Sequence, residues 1–121
     1  MPTVIACGSR HWTDHALVEY ELRKLERGTL VLHGACRGAD TIAASIAKAL
    51  GLPVRAYPAN WTAYGNRAGP IRNQIMLTAL LESPGPHLVI AFGGAAGTAD
   101  MVRRAEATGV PVRRVGRGVW T

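Results

Sequence analysis

The sequence predicts a three-layer, doubly wound α/β domain, in which helices cover both faces of a five-stranded parallel sheet. Short runs rich in β-branched residues alternate with longer segments of helical periodicity along the whole chain. A helix between two strands returns the chain to the same end of the sheet, so that successive strands run parallel. We expect a strand order near 3-2-1-4-5 and, at 121 residues, a single domain over 1–121.

The first half of the chain contains two strand–helix units. The apolar run 3–7 predicts the first strand, and the segment 15–26 predicts a helix because its apolar residues fall on one stripe. The run 29–33 predicts the second strand. The segment 39–50 places its isoleucines at helical spacing, and Gly51 ends that helix.

The second half of the chain contains three strands and two helices. The run 54–57 predicts a short third strand, and a loop follows it. The segment 71–82 predicts the third helix, and Pro70 suits its first turn because proline lacks the N–H that is unpaired there. The last three elements are predicted to be a strand, a helix and a strand, within 87–92, 98–107 and 110–115.

Composition narrows the function classes. No apolar stretch approaches the roughly 18 residues of a membrane span, and the N-terminus lacks a secretory pattern, so we expect a cytoplasmic protein without a membrane partner. Cys7 and Cys36 are too few for a disulfide framework and lack metal-ligating neighbours, so we expect reduced thiols and no metal. The arginine-, alanine- and glycine-rich usage indicates a high-GC bacterium or its phage.

The net charge of +6 comes almost wholly from arginine. The C-terminal stretch holds a single acid, Glu106, against Arg103, Arg104, Arg113, Arg114 and Arg117. This cluster fits three interpretations: a nucleic-acid interface, a solubilising surface or a field that attracts small anions. No aromatic residues alternate with these arginines, which disfavours single-stranded nucleic acid as the partner.

Three glycine-containing turns open helices at one edge of the predicted sheet. They follow the first, second and fourth strands as CGSR, HGACRGAD and GGAAGTAD. Because ligands bind at the carboxyl ends of parallel strands and helix N-termini offer unpaired N–H groups, these turns predict a phosphate site. The third helix adds a cation and an amide. The expected ligand-binding residues are Gly8, Ser9, Arg10, Gly34, Arg37, Gly38, Asp40, Arg72, Asn73, Gly93, Gly94, Gly97 and Thr98.

Arg72 carries the most specific of these expectations. It lies in the first turn of the third helix, where a long cation reaches towards the sheet edge, and no acid lies near it in sequence. We therefore expect Arg72→Ala to weaken ligand binding by about 1.5–3 kcal/mol with little effect on folding. At the last helix, we expect Thr98 to act as the N-cap.

Several residues leave alternatives open. His33 fits a packed, hydrogen-bonded histidine better than a catalyst. Asp40 either stabilises the dipole of its helix or hydrogen-bonds to a ribose hydroxyl. The aromatic residues Trp12, Trp61 and Tyr64 belong to the core or to a dimer interface, or they stack on a base.

Four segments resemble a known family: GSRHWTD (8–14), HGACRGAD (33–40), YPANWTAYGNRAGPIRNQIM (57–76) and GGAAGTADMVRRA (93–105). In order and spacing they are similar to the YspA/YpsA-related branch of the SLOG superfamily. That superfamily includes the Lonely Guy-type phosphoribohydrolases and the Rossmann-like domain of the DNA-processing protein A. The resemblance implies a Rossmann-like domain that binds nucleotides or nucleotide-derived ligands, often as a homodimer.

This chain keeps part of the phosphate-binding turn of the hydrolases. They use a Pro-Gly-Gly-x-Gly-Thr turn, and this chain matches it at Gly94, Gly97 and Thr98. Gly93 stands at the proline position and Ala95 at the second glycine. The resemblance therefore implies that phosphate binding persists in a modified turn.

The catalytic residues of the hydrolases are only partly kept. Their Arg-x-x-x-Met helix is matched by Arg72 and Met76, whereas their catalytic glutamate falls on Met101. The nearest acid is Asp100, one residue earlier and about 100° around the helix. Asp100 and Arg72 are catalytic candidates only if the protein is an enzyme.

Three functions follow as hypotheses. The favoured one is a binding module for a nucleotide or nucleotide-derived ligand, without a cofactor. The first alternative is phosphoribohydrolase-type cleavage of the N-glycosidic bond in a nucleoside monophosphate. The second alternative is single-stranded nucleic-acid binding.

Overall fold

The computed structural model describes residues 1–116. Its strands are β1 (Thr3–Gly8), β2 (Leu30–His33), β3 (Val54–Ala56), β4 (His87–Phe92) and β5 (Val112–Val115). Its helices are α1 (His15–Arg23), α2 (Ala39–Ala49), α3 (Trp61–Tyr64), α4 (Ala68–Glu82) and α5 (Ala96–Ala107), and a 3-10 turn at Gly65–Arg67 joins α3 to α4. None of these helices has the length and apolarity needed to cross a membrane.

The five strands form one parallel sheet in the order β3-β2-β1-β4-β5. The central strand β1 pairs with β4 along its whole length, from Thr3 opposite His87 to Gly8 opposite Phe92. The chain moves outward in one direction from β1 and in the other from β4, so the order reverses between these two strands. The predicted fold class and strand order are confirmed.

Side-chain alternation along β1 builds a separate core on each face of the sheet. Val4 and Ala6 pack into the cluster that α1 and α2 cover. Ile5 and Cys7 pack into the cluster that α4 and α5 cover. Because successive residues of a strand point to opposite faces, a strand buried on both sides reads as a continuous apolar run.

The predicted loop between β3 and α4 contains a single helical turn, α3, followed by the 3-10 turn. The Asn60 side chain begins α3 by accepting a hydrogen bond from the Ala63 N–H at 3.0 Å, as an N-cap asparagine does. α3 brings Trp61 against the start of α4, where a Cβ at Gly69 would lie 3.3 Å from Trp61 Cη2. The segment therefore presents an aromatic ring beside the carboxyl edge of the sheet.

α5 begins two residues earlier than its sequence pattern predicts. Ala95 is extended, at φ −149° and ψ −179°, and is the N-cap, so that Thr98 lies inside the first turn. The expectation that Thr98 caps this helix is therefore wrong. Alanine is the strongest helix former, and Ala96 extends the helix towards the strand.

Candidate functional site

A small cavity, here called the inner cavity, lies at the carboxyl ends of β1 and β4, where the strand order reverses. Its volume is about 100 Å³. The structure brings together at this cavity the expected site residues Gly8, Arg10, Asp40, Arg72, Asn73, Gly97 and Thr98. The remaining lining residues are Cys7, Cys36, Trp61, Gly69, Met76, Ala95 and Met101.

A second cavity, here called the outer cavity, adjoins the first and has a volume of about 350 Å³. The two cavities share three lining residues, Arg10, Cys36 and Trp61. The outer cavity adds Gly34 and Arg37 from the expected set, together with Ala35, Pro58 and Ala59. The shared lining makes the two cavities compartments of one crevice.

The first turn of α5 leaves N–H groups free at the inner cavity. The first four N–H groups of a helix have no intrahelical acceptor, and no side chain caps α5. Gly97 lies in this turn, and a Cβ built there would meet no atom within 4 Å. Thr98, the next residue, adds a buried hydroxyl. Free N–H groups and a positive dipole end make this turn suitable for an anion.

The helices that follow β1 and β2 have their starts engaged within the protein. The Asp14 side chain caps α1 by accepting from the Leu17 N–H at 3.0 Å. Within residues 1–116, α2 has no side-chain cap either, but its first N–H, that of Ala39, donates to Ser9 O at 3.1 Å. The turn before α5 contributes Ala95, Gly97 and Thr98 to the inner cavity, so we take it as the candidate anion site.

Two arginines lie at the crevice with their side chains exposed. Arg10 lines both cavities, and Arg37 lines the outer one. Among residues 1–116, neither side chain has a hydrogen-bond or ion-pair partner. Guanidinium groups bind phosphate oxygens in a bidentate manner, so these two side chains can add to the attraction of α5 for an anion.

Arg72 connects α4 to the turn after β2. Its Nη1 donates to Gly34 O at 2.6 Å and to Tyr57 O at 3.3 Å, and its Nε donates to Asn73 Oδ1 at 2.9 Å. Against the sequence-based expectation of little effect on folding, we predict that Arg72 stabilises the fold, because two of its acceptors are backbone carbonyls distant in sequence. The guanidinium still lines the inner cavity, but much of its donor capacity is used within the protein.

Asp40 is buried at the inner cavity and organises the same turn. Its Oδ2 accepts hydrogen bonds from the Gly34 N–H at 3.0 Å and the Cys36 N–H at 3.4 Å. Burial raises the pKa of Asp40 to about 6, although these hydrogen bonds and the charge of Arg72 oppose the increase. A Cβ at Gly34 would collide with the Arg72 guanidinium and crowd Asp40 Oδ2, so a larger residue there would displace the Arg72 side chain.

Asp100 lies outside both cavities, and its carboxylate is fully engaged. Oδ1 accepts from Arg103 at 2.9 Å, while Oδ2 accepts from Arg104 at 2.8 Å and from Asn73 Nδ2 at 3.0 Å. Partial burial raises the pKa of Asp100, but the hydrogen bonds from Arg104 and Asn73 outweigh it and hold the pKa below its ordinary value. Asp100 is therefore a structural anion and is not positioned as an acid or base for a ligand.

The floor of the inner cavity is apolar. Met101, which is 1% exposed, lies there with Met76 and Cys7. Burial and the nearby Asp40 raise the pKa of the Cys7 thiol, so this group stays neutral. A thioether carries no charge and accepts hydrogen bonds weakly. The position of the hydrolase glutamate is thus occupied by a group without acid–base capacity.

Four expected site residues line neither cavity: Ser9, Gly38, Gly93 and Gly94. The Ser9 hydroxyl closes the turn after β1 by accepting from the His11 N–H at 3.0 Å. Gly38 has φ +77°, and a Cβ there would collide with Ser9 O, so glycine lets α2 begin against that turn. These residues shape the site without facing it.

The three aromatic candidates fall into different environments. Trp12 packs on Phe92 with ring centroids 5.7 Å apart, and its indole N–H donates to Asp14 O, so it belongs to the edge of the core. Trp61 is 51% exposed and lines both cavities. Tyr64 is equally exposed but lines neither cavity. Trp61 is therefore the aromatic residue available to a bound base.

His33 is the packed histidine that the sequence favours. It is buried, and its Nδ1 accepts a hydrogen bond from the Ala35 N–H at 3.0 Å. Burial lowers its pKa, and the charges of Lys48 and Arg72 lower it further. A neutral imidazole follows, held in the same turn as Asp40.

The C-terminal arginines are paired with acids. The ion pairs are Arg103–Asp100, Arg104–Asp100, Arg113–Glu21 and Arg114–Glu106. Arg117 lies outside the described residues. Much of the positive charge predicted for this stretch is therefore neutralised locally.

Sequence reasoning did not assign Cys7, Cys36, Gly69 and Ala95 to the crevice. Gly69 could have been recognised, because a glycine beside Pro70 in the first turn of the helix permits the close approach of Trp61. Ala95 could also have been recognised, since it replaces a turn glycine of the hydrolases that this chain resembles. The sequence gives no sign that the two cysteines line a cavity, because a cysteine in a core and a cysteine in a cavity wall have the same sequence pattern.

The model of the YspA, cpYpsA-related SLOG family matches residues 2–64, half of the chain. The chain belongs to this family. It is also 33% identical over 127 residues to Gene 61 protein of Mycobacterium phage D29, an alignment that covers 96% of this chain and 98% of that protein. The family predicted from the four sequence segments is confirmed, and a phage relative fits the composition.

Two solved structures share the fold of this SLOG family member. DNA processing protein A from Streptococcus pneumoniae superimposes with a TM-score of 0.75 at 19% identity, over 96% of this chain. The chain spans 50% of the length of that protein. The C-terminal domain of a Pyrococcus furiosus hydrogenase superimposes with a TM-score of 0.57 at 19% identity, over 94% of this chain and 91% of that domain. At this identity the similarity establishes the fold alone.

Proposed function

We propose that this protein binds a nucleotide or nucleotide-derived ligand whose phosphate occupies the inner cavity. The observation that carries the proposal is the uncapped first turn of α5 at a cavity that Arg10 also lines. Such a turn attracts anions through its free N–H groups and its dipole, and a guanidinium adds charge-assisted hydrogen bonds. Membership of the SLOG family supports a nucleotide-related ligand over a simple anion.

The sizes of the two compartments support a ligand that spans both. The inner cavity, at about 100 Å³, is the smaller of the two and suits a phosphate group. The outer cavity, at about 350 Å³, lies within the roughly 300–1,000 Å³ of small-molecule sites. We therefore assign the nucleoside to the outer cavity, where the exposed ring of Trp61 offers a stacking surface.

The proposed function is binding without hydrolysis. Met101 supplies no acid at the cavity floor, and Asp100 is committed to two arginines and an asparagine. Asp40 is the acid in the described lining, and its Oδ2 is already bound to two backbone N–H groups. A positioned acid–base group contributes about 10²–10⁴ in rate, so we expect at most trace cleavage of AMP.

Polynucleotide binding is not favoured by the paired C-terminal arginines. Long phosphate backbones require a row of accessible cations. Within residues 1–116, four of the five arginines considered for this role form ion pairs with acids. The accessible arginines of the crevice, Arg10 and Arg37, suit a ligand of nucleotide size.

Thermal unfolding with a panel of AMP, ADP, ADP-ribose and NAD tests the proposal. A ligand at a hundred times its Kd stabilises the folded state by about 2.7 kcal/mol, which is a Tm increase of roughly 8–14 °C for a domain of this size. Arg10→Ala should remove most of that increase. The matched control is Arg27→Ala, which deletes an exposed arginine before β2 at the opposite edge of the sheet. Unchanged melting curves across the panel at millimolar ligand would refute nucleotide binding.

A further inference from the structure

The outer cavity carries more positive charge than a nucleoside needs. Arg10 and Arg37 both line it with exposed guanidinium groups that have no partner within residues 1–116, and its described lining contains no Asp or Glu. A base and a ribose are neutral and are recognised by stacking and hydrogen bonds. Two arginines without a compensating acid indicate a second anionic group on the ligand.

We propose that the ligand carries a second phosphate group and that Arg37 binds it in the outer cavity. This inference rests on the proposed function, because it takes the first phosphate to lie at α5. Arg10 lines both compartments and is therefore placed to contact both phosphates, whereas Arg37 lines the outer cavity alone. The ligand class is a nucleotide with two phosphates, either joined as a diphosphate or attached at separate ribose positions.

The backbone that carries Arg37 is held firmly while its side chain is free. On one side, the Cys36 N–H donates to buried Asp40. On the other side, Gly38 packs against the backbone of Ser9 and Arg10, where a Cβ would collide. A fixed backbone lowers the entropy cost of presenting a long side chain to a ligand.

The rest of the outer cavity fits the neutral part of such a ligand. Pro58, Ala59 and Trp61 add apolar surface to its lining, and Trp61 is 51% exposed. A base that stacks on Trp61 leaves Arg10 and Arg37 to phosphate. An aromatic ring and two arginines in one lining match the two chemical parts of a nucleotide with an additional phosphate.

Calorimetric titration at constant pH and ionic strength tests the inference with three probes: AMP, ADP and adenosine 3′,5′-bisphosphate. The wild-type protein should bind one of the two-phosphate compounds at least about tenfold more tightly than AMP, as expected for one additional charge-assisted contact. The preferred compound identifies which arrangement of phosphates the crevice accepts. Arg37→Ala should reduce the ratio of the two Kd values to about one, and Arg27→Ala should leave that ratio unchanged.

The outcomes separate this inference from the function on which it rests. If AMP binds but neither two-phosphate compound binds more tightly, the second phosphate is refuted and nucleotide binding stands. The inference is also overturned if Arg37→Ala weakens AMP and the two-phosphate compound by the same factor. If none of the three compounds binds, both proposals fail. Matching melting temperatures for wild type and Arg37→Ala establish that the variant is folded.

Discussion

Replacing Arg72 by alanine tests whether this arginine holds the fold together or serves only a ligand. In the structure its guanidinium joins α4 to the turn after β2 through Gly34 O and to the end of β3 through Tyr57 O. It also bonds to Asn73 Oδ1 within α4. We expect Arg72→Ala to lower the stability of the free protein, before any ligand is added.

The magnitude follows from the bonds that are lost. A hydrogen bond to a charged group contributes about 1.5–3 kcal/mol, and Arg72 is half-buried. The bond to Gly34 O is short, at 2.6 Å, while the bond to Tyr57 O is long, at 3.3 Å. The variant also leaves buried Asp40 without a nearby cation. We expect a loss of about 2–4 kcal/mol in unfolding free energy, or roughly 8–16 °C in Tm.

Urea unfolding followed by circular dichroism measures this loss. Arg103→Ala is the matched control, because Arg103 is 71% exposed and its ion pair with Asp100 should contribute well under 1 kcal/mol. Arg72→Lys should fall between wild type and alanine, since lysine keeps the charge but not the planar fork. An Arg72→Ala protein as stable as wild type would refute the structural role and would indicate that Arg72 serves ligand binding instead.

Three further predictions address other parts of the account. Gly97→Ala should leave the free protein at least as stable as wild type, because the added Cβ meets no atom within 4 Å. The same variant should weaken AMP binding at α5, and unaltered AMP affinity would mean that the phosphate binds elsewhere. Because burial raises the pKa of Asp40 from 3.8 to about 6, the folded state binds more protons than the unfolded state between these pH values, and the free energy of unfolding should fall as pH rises through this window. Urea unfolding should show a smaller fall for Asp40→Asn, and an equal slope in both proteins would contradict this prediction. If two copies pair through antiparallel α4 helices, Arg67 of one copy opposes Glu82 of the other across exposed Ile75. Sedimentation should then show that Arg67→Glu dissociates the dimer and that the double variant Arg67→Glu, Glu82→Arg restores it, whereas a monomeric wild type would exclude this pairing.

The fold was predictable because its signals are local and repeated. Each strand is a short apolar run, the first two long helices place apolar residues at helical spacing, and parallel connections leave few possible strand orders. The short helix α3 escaped prediction because four residues are too few to establish a period. The start of α5 was misplaced because threonine is the usual cap, whereas here extended Ala95 takes that position.

The candidate site was predictable in its location and less so in its residues. Glycine turns at strand ends predicted the edge of the sheet at which the structure places the two cavities. Which turns stay open depends on contacts between distant segments, such as Arg72 with Gly34, 38 residues apart. The same applies to the Arg113–Glu21 pair, which spans 92 residues and neutralises charge that the sequence shows as a cluster. Such partners become visible only when the chain is folded.

A crystal structure of the protein with AMP tests the central claim most directly. The account predicts the phosphate in the inner cavity, with its oxygens about 2.7–3.2 Å from the N–H groups of Gly97 and Thr98. It also predicts that the Arg10 guanidinium hydrogen-bonds to the same phosphate. AMP bound with its phosphate at the turn after β2, or away from the crevice altogether, would contradict the account.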